Sequence, residues 1–183
     1  MTRRGFSLIE MLVVIVMIGL LTAILVPRFR MSPRSKVRAA ADEMVRDLEL
    51  VRSRALSTRT WTRMRFDTGA GTYTGYLDDN RDSTFALTTA EIDSLHGFGV
   101  RTLDPAVAYG RGTAPDVPAL PGPGVITFAN PWVDFDARGL TTPFGTKGVI
   151  YLVSRNDPSA VAAVTVSGGG GIRTWTYNGT SWQ

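Results

Sequence analysis

MTRRGFSLIEMLVVIVMIGLLTAILV, residues Met1–Val26, is the stretch on which the architecture of this chain turns. A basic start (Arg3, Arg4) and Gly5 lead into Phe6-Ser7-Leu8-Ile9-Glu10, and an apolar run then continues to Val26. As a helix, Phe6 to Val26 spans roughly 30 Å, the thickness of a bilayer's hydrocarbon core. Glu10 does not belong in such a segment. An isolated carboxylate in a membrane helix costs about 2–3 kcal/mol even on mild insertion scales, so its presence points to a function. A cleaved secretory signal shares the basic start and apolar run. It should end in small residues, however, whereas this run ends in Val26-Pro27-Arg28-Phe29-Arg30. A plain membrane anchor accounts for the length but not for Glu10. A buried core helix would be shorter and carry a polar stripe.

The residues GFSLIE followed by an apolar run resemble the class III signal of type IV pilins and type II secretion pseudopilins. In that family a membrane peptidase cuts after the glycine and methylates the new terminal amine. The resemblance implies cleavage between Gly5 and Phe6, N-methylation of Phe6, and Glu10 as the carboxylate of filament assembly. The physics agrees with the last role: in a core of packed helices Glu10 can pair with the amine of a neighbouring Phe6. A buried charge is costly alone but sets register when matched. The implied partners are other pilins or pseudopilins, the prepilin peptidase and the inner membrane. The implied placement is a single pass with the globular domain in the periplasm, assembled into a periplasmic or surface filament.

Beyond the apolar segment some 150 residues remain, room for one globular domain with its own core. The absence of cysteine excludes disulfides, a thiol nucleophile and thiolate metal sites. From 20 basic and 16 acidic residues, loss of Arg3 and Arg4 leaves 18 and 16, a net charge of +2. Pro27 either stops the helix or kinks it. The cluster Arg28, Arg30, Arg34, Lys36 and Arg38 outnumbers Arg3 and Arg4, so a positive-inside count opposes the orientation that the processing motif implies. From Ser35 to Thr58 the residues Val37, Ala41, Met44, Leu48, Val51 and Ala55 recur every three or four positions, the stripe of an amphipathic helix. Asp42–Arg46 and Glu49–Arg52 are spaced for ion pairs on its exposed side.

After Thr60 the period becomes two. Trp61–Phe66 and Thr72–Leu77 read as a hairpin turning on Thr68-Gly69-Ala70-Gly71. Val100 to Tyr109 reads as a strand interrupted at Asp104-Pro105. Residues 110–124 (GRGTAPDVPALPGPG) read as an irregular surface excursion. Further strands are expected at Val125–Phe128, Val133–Phe135, Gly148–Ser154, Val161–Ser167 and Ile172–Tyr177. The segments AAADEMVRDLELVRSRALSTR, VDFDARG with Phe135 and Gly139, GVIYLV and VTVSGGGGIRTW are similar to the GspH/FimT family of minor pseudopilins and minor pilins.

The expected fold class is α+β and pilin-like: a long hydrophobic N-terminal helix, first transmembrane and then amphipathic, on a C-terminal antiparallel β-sheet domain. The expected divisions are a leader at 1–5, a transmembrane or filament-core helix at 6–26, its amphipathic continuation at 27–59, and a β-rich domain at 60–183 with variable loops at 78–124. No catalytic residue, cofactor or metal is expected. His96 is the only histidine, and no nucleophile elbow or phosphate loop occurs. Asp78, Asn80 and Asp82 have the alternate spacing of calcium-loop oxygens. Ser83 stands where that loop needs glycine and Thr89 where it needs glutamate, so a polar turn is expected. The expected function is that of a structural subunit of a type II secretion pseudopilus or type IV pilus supporting export. The alternative is a DNA-binding minor pilin. Arg173, Trp175, Tyr177 and Trp182 could stack bases, and Arg63, Arg65, Arg155 and Arg173 could converge. One arginine near the C-terminus is a thin footprint, though, and nucleic acid is not the expected partner.

Overall fold

The computed structural model describes residues 7–25, 32–93, 95 and 98–183. The chain divides into two units, Met1–Ser32 and Pro33–Gln183. In the first, α1 spans Leu8–Leu25 and is apolar on all sides except for Glu10. Its 18 residues cover about 27 Å, and among the described residues no helix is long and apolar enough to cross a membrane. The expected continuation through residues 26–31, with Pro27, Arg28 and Arg30, lies outside the described residues.

The second unit opens with α2, Pro33–Thr58. Pro33 sits at its first position, where a missing N–H is no loss. The predicted stripe is buried in full: Val37, Ala41, Met44, Leu48, Val51 and Ala55, joined by Ala40 and Asp47. The helix ends where the Thr58 hydroxyl turns back to the Arg54 carbonyl (2.7 Å) and Arg59 adopts a φ of 53°. Glu49 and Arg52 pair as expected, at 3.5 Å. Asp42 does not take Arg46; it pairs one turn back with Arg38, at 3.9 Å. Both spacings bring side chains together on a helix, and here the N-terminal neighbour is the one chosen.

The β region forms two antiparallel sheets. Its strands in chain order are β1 (Thr62–Asp67), β2 (Thr72–Leu77), β3 (Val100–Thr102), β4 (Val107–Tyr109), β5 (Trp132–Phe135), β6 (Thr141–Thr142), β7 (Gly148–Ser154), β8 (Asp157–Val166) and β9 (Ile172–Tyr177), with a short helix α3 at Thr89–Asp93. The first sheet runs β3-β2-β1-β5-β6 and the second β4-β7-β8-β9. The β1–β2 hairpin has the predicted turn. The Asp67 carboxylate accepts the N–H groups of Gly69 and Ala70, and Gly71 closes the turn with a φ of 69°. α2 packs across both sheets. Its stripe shares one core with Met64 and Phe66 of β1, Phe135 of β5, Ile150 and Leu152 of β7, and Ala162 and Val164 of β8.

Two expectations need correction and a third an addition. The Val100–Tyr109 strand is two strands, and the break at Asp104-Pro105 is where the chain changes sheets. Asp104 accepts the N–H of Ala106 at 2.7 Å to make that turn, and Tyr109 then ties the sheets by donating its hydroxyl to the Thr72 carbonyl. Burial pushes the Tyr109 hydroxyl above its ordinary pKa. Val125–Phe128 is not a strand but a single bridge, Ile126 to Ile150, held by two flanking backbone bonds to Val149 and Tyr151. Residues 110–124 are irregular and mostly exposed, as expected, and the addition is that two of them reach back onto the sheet. Val117 and Ala114 are buried in a second apolar cluster with Val149, Tyr151, Val161, Ala163 and Tyr177 on the outer face of the second sheet. The prolines and glycines break the periodicity that would have disclosed those apolar contacts.

A buried carboxylate borders the core. Asp47 accepts the Tyr73 hydroxyl at 2.7 Å and has Arg101 at 3.7 Å. Burial first, and then the Asp47 carboxylate, raise the Tyr73 hydroxyl far above its ordinary pKa. The charge is thereby matched, as a buried carboxylate must be.

Candidate functional site

Glu10 lies in the first turn of α1. The Glu10 N–H donates to the Ser7 carbonyl at 3.0 Å, and its carboxylate is exposed. Among the described residues it has no ion-pair partner. Around and beyond it the apolar side chains stand open on every side, from 44% exposed at Val14 to 85% at Leu8. Thr22 satisfies its own hydroxyl by donating to the Ile18 carbonyl at 2.7 Å, so it adds no polar demand. A helix apolar all round is stable only where apolar surface covers it. The arrangement is thus an apolar cylinder with one anionic end. Gly5 and Phe6 lie outside the described residues, and so does His96.

Asp78, Asn80 and Asp82 are brought together, but as a turn. Asp78 accepts the N–H groups of Asp82 and Ser83, and Asp82 accepts both the N–H and hydroxyl of Thr84. Those Thr84 bonds hold the Asp82 carboxyl below its usual range. Among the described residues no group of three metal-capable side chains occurs.

The aromatics near the C-terminus pack on the domain itself. Trp182 lies 5.3 Å from Tyr177 and 6.0 Å from Tyr151 between ring centres, and its indole N–H donates to the Pro115 carbonyl. The Trp175 indole N–H donates to the Thr165 hydroxyl. The four arginines are divided among separate elements. Arg63 and Arg65 lie on the outer face of β1 in the first sheet, Arg155 sits in the turn between β7 and β8, and Arg173 is on β9. Arg63 is already neutralised. It makes two bonds to Asp134, at 2.6 and 2.8 Å, between the rings of Phe85 and Trp132. Sequence reasoning missed Lys147, which the β6–β7 turn brings to the same cavity as Arg173. The two are 26 positions apart, and no local pattern links them.

A model of the prokaryotic N-terminal methylation motif matches residues 1–26, and a model of the type II transport protein GspH matches residues 40–170. No curated protein gives a significant sequence match. Two of the solved structures that share the fold illustrate the likeness. One is the type IV minor pilin FimU of Pseudomonas aeruginosa, at 15% identity, TM-score 0.50, over 82% of this chain and 94% of that one. The other is the minor pseudopilin EpsH from the type 2 secretion system of Vibrio cholerae, at 13% identity, TM-score 0.50, over 77% and 97%. The N-terminal motif, the helix-on-sheet unit and the match over most of the domain lead to one conclusion: the chain belongs to the GspH family of type II transport proteins.

Proposed function

We propose that this subunit is cut between Gly5 and Phe6 by a prepilin peptidase, N-methylated at Phe6, and drawn from the inner membrane into a filament through Glu10. The observation that carries this reading is Glu10: the sole charge in α1, exposed and without an ion-pair partner among the described residues. In the membrane such a carboxylate is a cost. In a bundle of like helices it becomes a register mark, because the methylated amine of a neighbouring Phe6 supplies the opposite charge where water is excluded. The open apolar surface of α1 supplies the packing and Glu10 selects the offset. The chain waits as a single-pass protein with residues 33–183 in the periplasm, and the basic cluster after Val26 meets anionic headgroups there.

Two measurements test this. With an active prepilin peptidase in the cell, mass spectrometry of the membrane fraction is expected to find a chain beginning at N-methylated Phe6. An intact Met1 overturns the processing. Glu10→Ala is expected to leave membrane insertion unchanged or easier, while incorporation into filaments falls by more than about tenfold, since the amine partner is left buried and unpaired. Equal incorporation of the variant overturns the pairing.

A further inference from the structure

We propose that the outer face of β8 and β9 carries a binding site for an extended acidic segment of a partner protein, with a carboxylate seated between Lys147 and Arg173. A cavity of about 300 Å³ opens there. Arg173 and Trp175 of β9, with Thr165 and Ser167 at the end of β8, form its floor, while Leu120 of the covering loop and Lys147 contribute its walls. Both cations are exposed. Among the described residues neither has a carboxylate within ion-pair distance, as is also true of Arg65, Arg81 and Arg155; what sets these two apart is that they line one cavity.

The neutral groups point to the same ligand. The Ser167 hydroxyl oxygen already accepts the Gly171 N–H at 3.0 Å, which leaves its hydrogen to donate. The Trp175 indole N–H is used on Thr165, so the ring offers only its apolar surface. Two cations, one hydroxyl donor and a wall of Trp175 and Leu120 suit a carboxylate on a short apolar stem, the side chain of aspartate or glutamate. A nucleic-acid strand would need cations repeated along its path. The rest of this face is apolar and covered.

The backbone beside the cavity favours an extended ligand. β9 is an edge strand. On its open side Thr176 exchanges both backbone bonds with Gln183, at 2.9 and 3.0 Å. In an antiparallel strand every second residue turns its N–H and C=O to the same side, so Thr174 and Ile172 also present theirs outward. A chain laid along that edge alternates its side chains between the two faces. One set falls over Lys147 and Arg173. The other falls over a cavity of about 380 Å³ on the α2 side, lined by Arg38, Asp42, Thr174, Thr176 and Gln183.

The test uses the full chain in detergent and a fluorescein-labelled peptide of alternating threonine and glutamate, read by anisotropy at several salt concentrations. Binding is expected to weaken as salt rises and to fall about tenfold for the glutamine counterpart. Lys147→Ser and Arg173→Ser are each expected to weaken it about tenfold, and Arg65→Ser on the first sheet to leave it unchanged. Hydrogen exchange at the Thr174 amide should slow on binding. All three substitutions lie at exposed positions, and circular dichroism checks that each variant folds. Absence of binding, equal binding of the two peptides, or insensitivity to both β9-face substitutions overturns the proposal. So does displacement by acetate at equal concentration, which marks a simple anion site, or tighter binding of a single-stranded oligonucleotide. Neither Glu10 nor processing at Gly5 enters this site, so peptide binding and filament assembly fail separately.

Discussion

β1 and β8 are both antiparallel strands of the same domain, and they are built on opposite plans. β1 alternates. Thr62, Met64 and Phe66 face the α2 core, while Arg63, Arg65 and Asp67 face out. β8 is buried from Ala160 to Val166 without a break. Its even-numbered side chains meet α2 and its odd-numbered ones meet the second cluster under residues 110–124 and Trp182. A one-sided strand writes its environment into the sequence as a period of two; a two-sided strand erases that period. The second face of β8 exists because a proline- and glycine-rich loop carries apolar residues back onto the sheet.

The comparison breaks most visibly at Tyr151. It is fully buried on the outer face of the second sheet, faces Trp182 and accepts the Val117 N–H at 3.0 Å, with Arg111 over its ring. Tyr151→Ala is expected to cost about 4 kcal/mol, from lost burial plus an orphaned amide. Arg65→Ala on the outer face of the first sheet should cost under about 0.5 kcal/mol. Urea unfolding of both variants measures the difference, and equal costs would mean that the second cluster contributes no core.

Gly112 tests whether the covering loop is clamped down. Its φ is 50°, and an added Cβ would fall 2.0 Å from the Pro158 carbonyl oxygen at the start of β8. Gly112→Ala is expected to cost about 2–3 kcal/mol, since backbone rather than a flexible side chain must move. A neutral effect in thermal unfolding would show a loop that rides free of the sheet.

On the first sheet the sharpest probe is the pair of Arg63 and Asp134, whose side chains are 17% and 11% exposed. Asp134→Ala leaves a mostly buried guanidinium between Phe85 and Trp132 without its carboxylate. It is expected to destabilise by about 2 kcal/mol, below the range for wholly buried pairs because some solvent reaches the site. Denaturant unfolding of the single and double variants isolates the coupling.

The smallest effect concerns pH. At the β5–β6 turn burial pushes the Asp136 carboxyl up, but bonds from Arg138 and from the N–H of Leu140 outweigh it and hold the group below its ordinary range. Its folded pKa is therefore below its unfolded one. The stabilisation is complete above the ordinary carboxylate value, about pH 4, and is lost as pH falls through the folded value. Asp136→Asn should be less stable at pH 7 and show a shallower acid limb in melting temperature. An unchanged acid limb would remove Asp136 from that limb.

The sequence by itself determined what depends on neighbours along the chain. Residues 1–26 spelled out the N-terminal methylation motif and an apolar run, because both are linear features. The α2 stripe from Val37 to Ala55 and the hairpin on Gly71 were legible because 3.6 and 2 are local periods. The chemistry of Gly5 and Phe6 remains a reading of that motif. Tertiary structure alone decided the sheet change at Asp104-Pro105, since two strands four residues apart look like one strand until their partners are known. It alone seated Ala114 and Val117 of residues 110–124 on the second sheet and brought Lys147 and Arg173 to one cavity. Each of these is a contact between segments far apart in sequence. Burial of that kind leaves no period to read, because the apolar residues that share a face come from different turns of the chain.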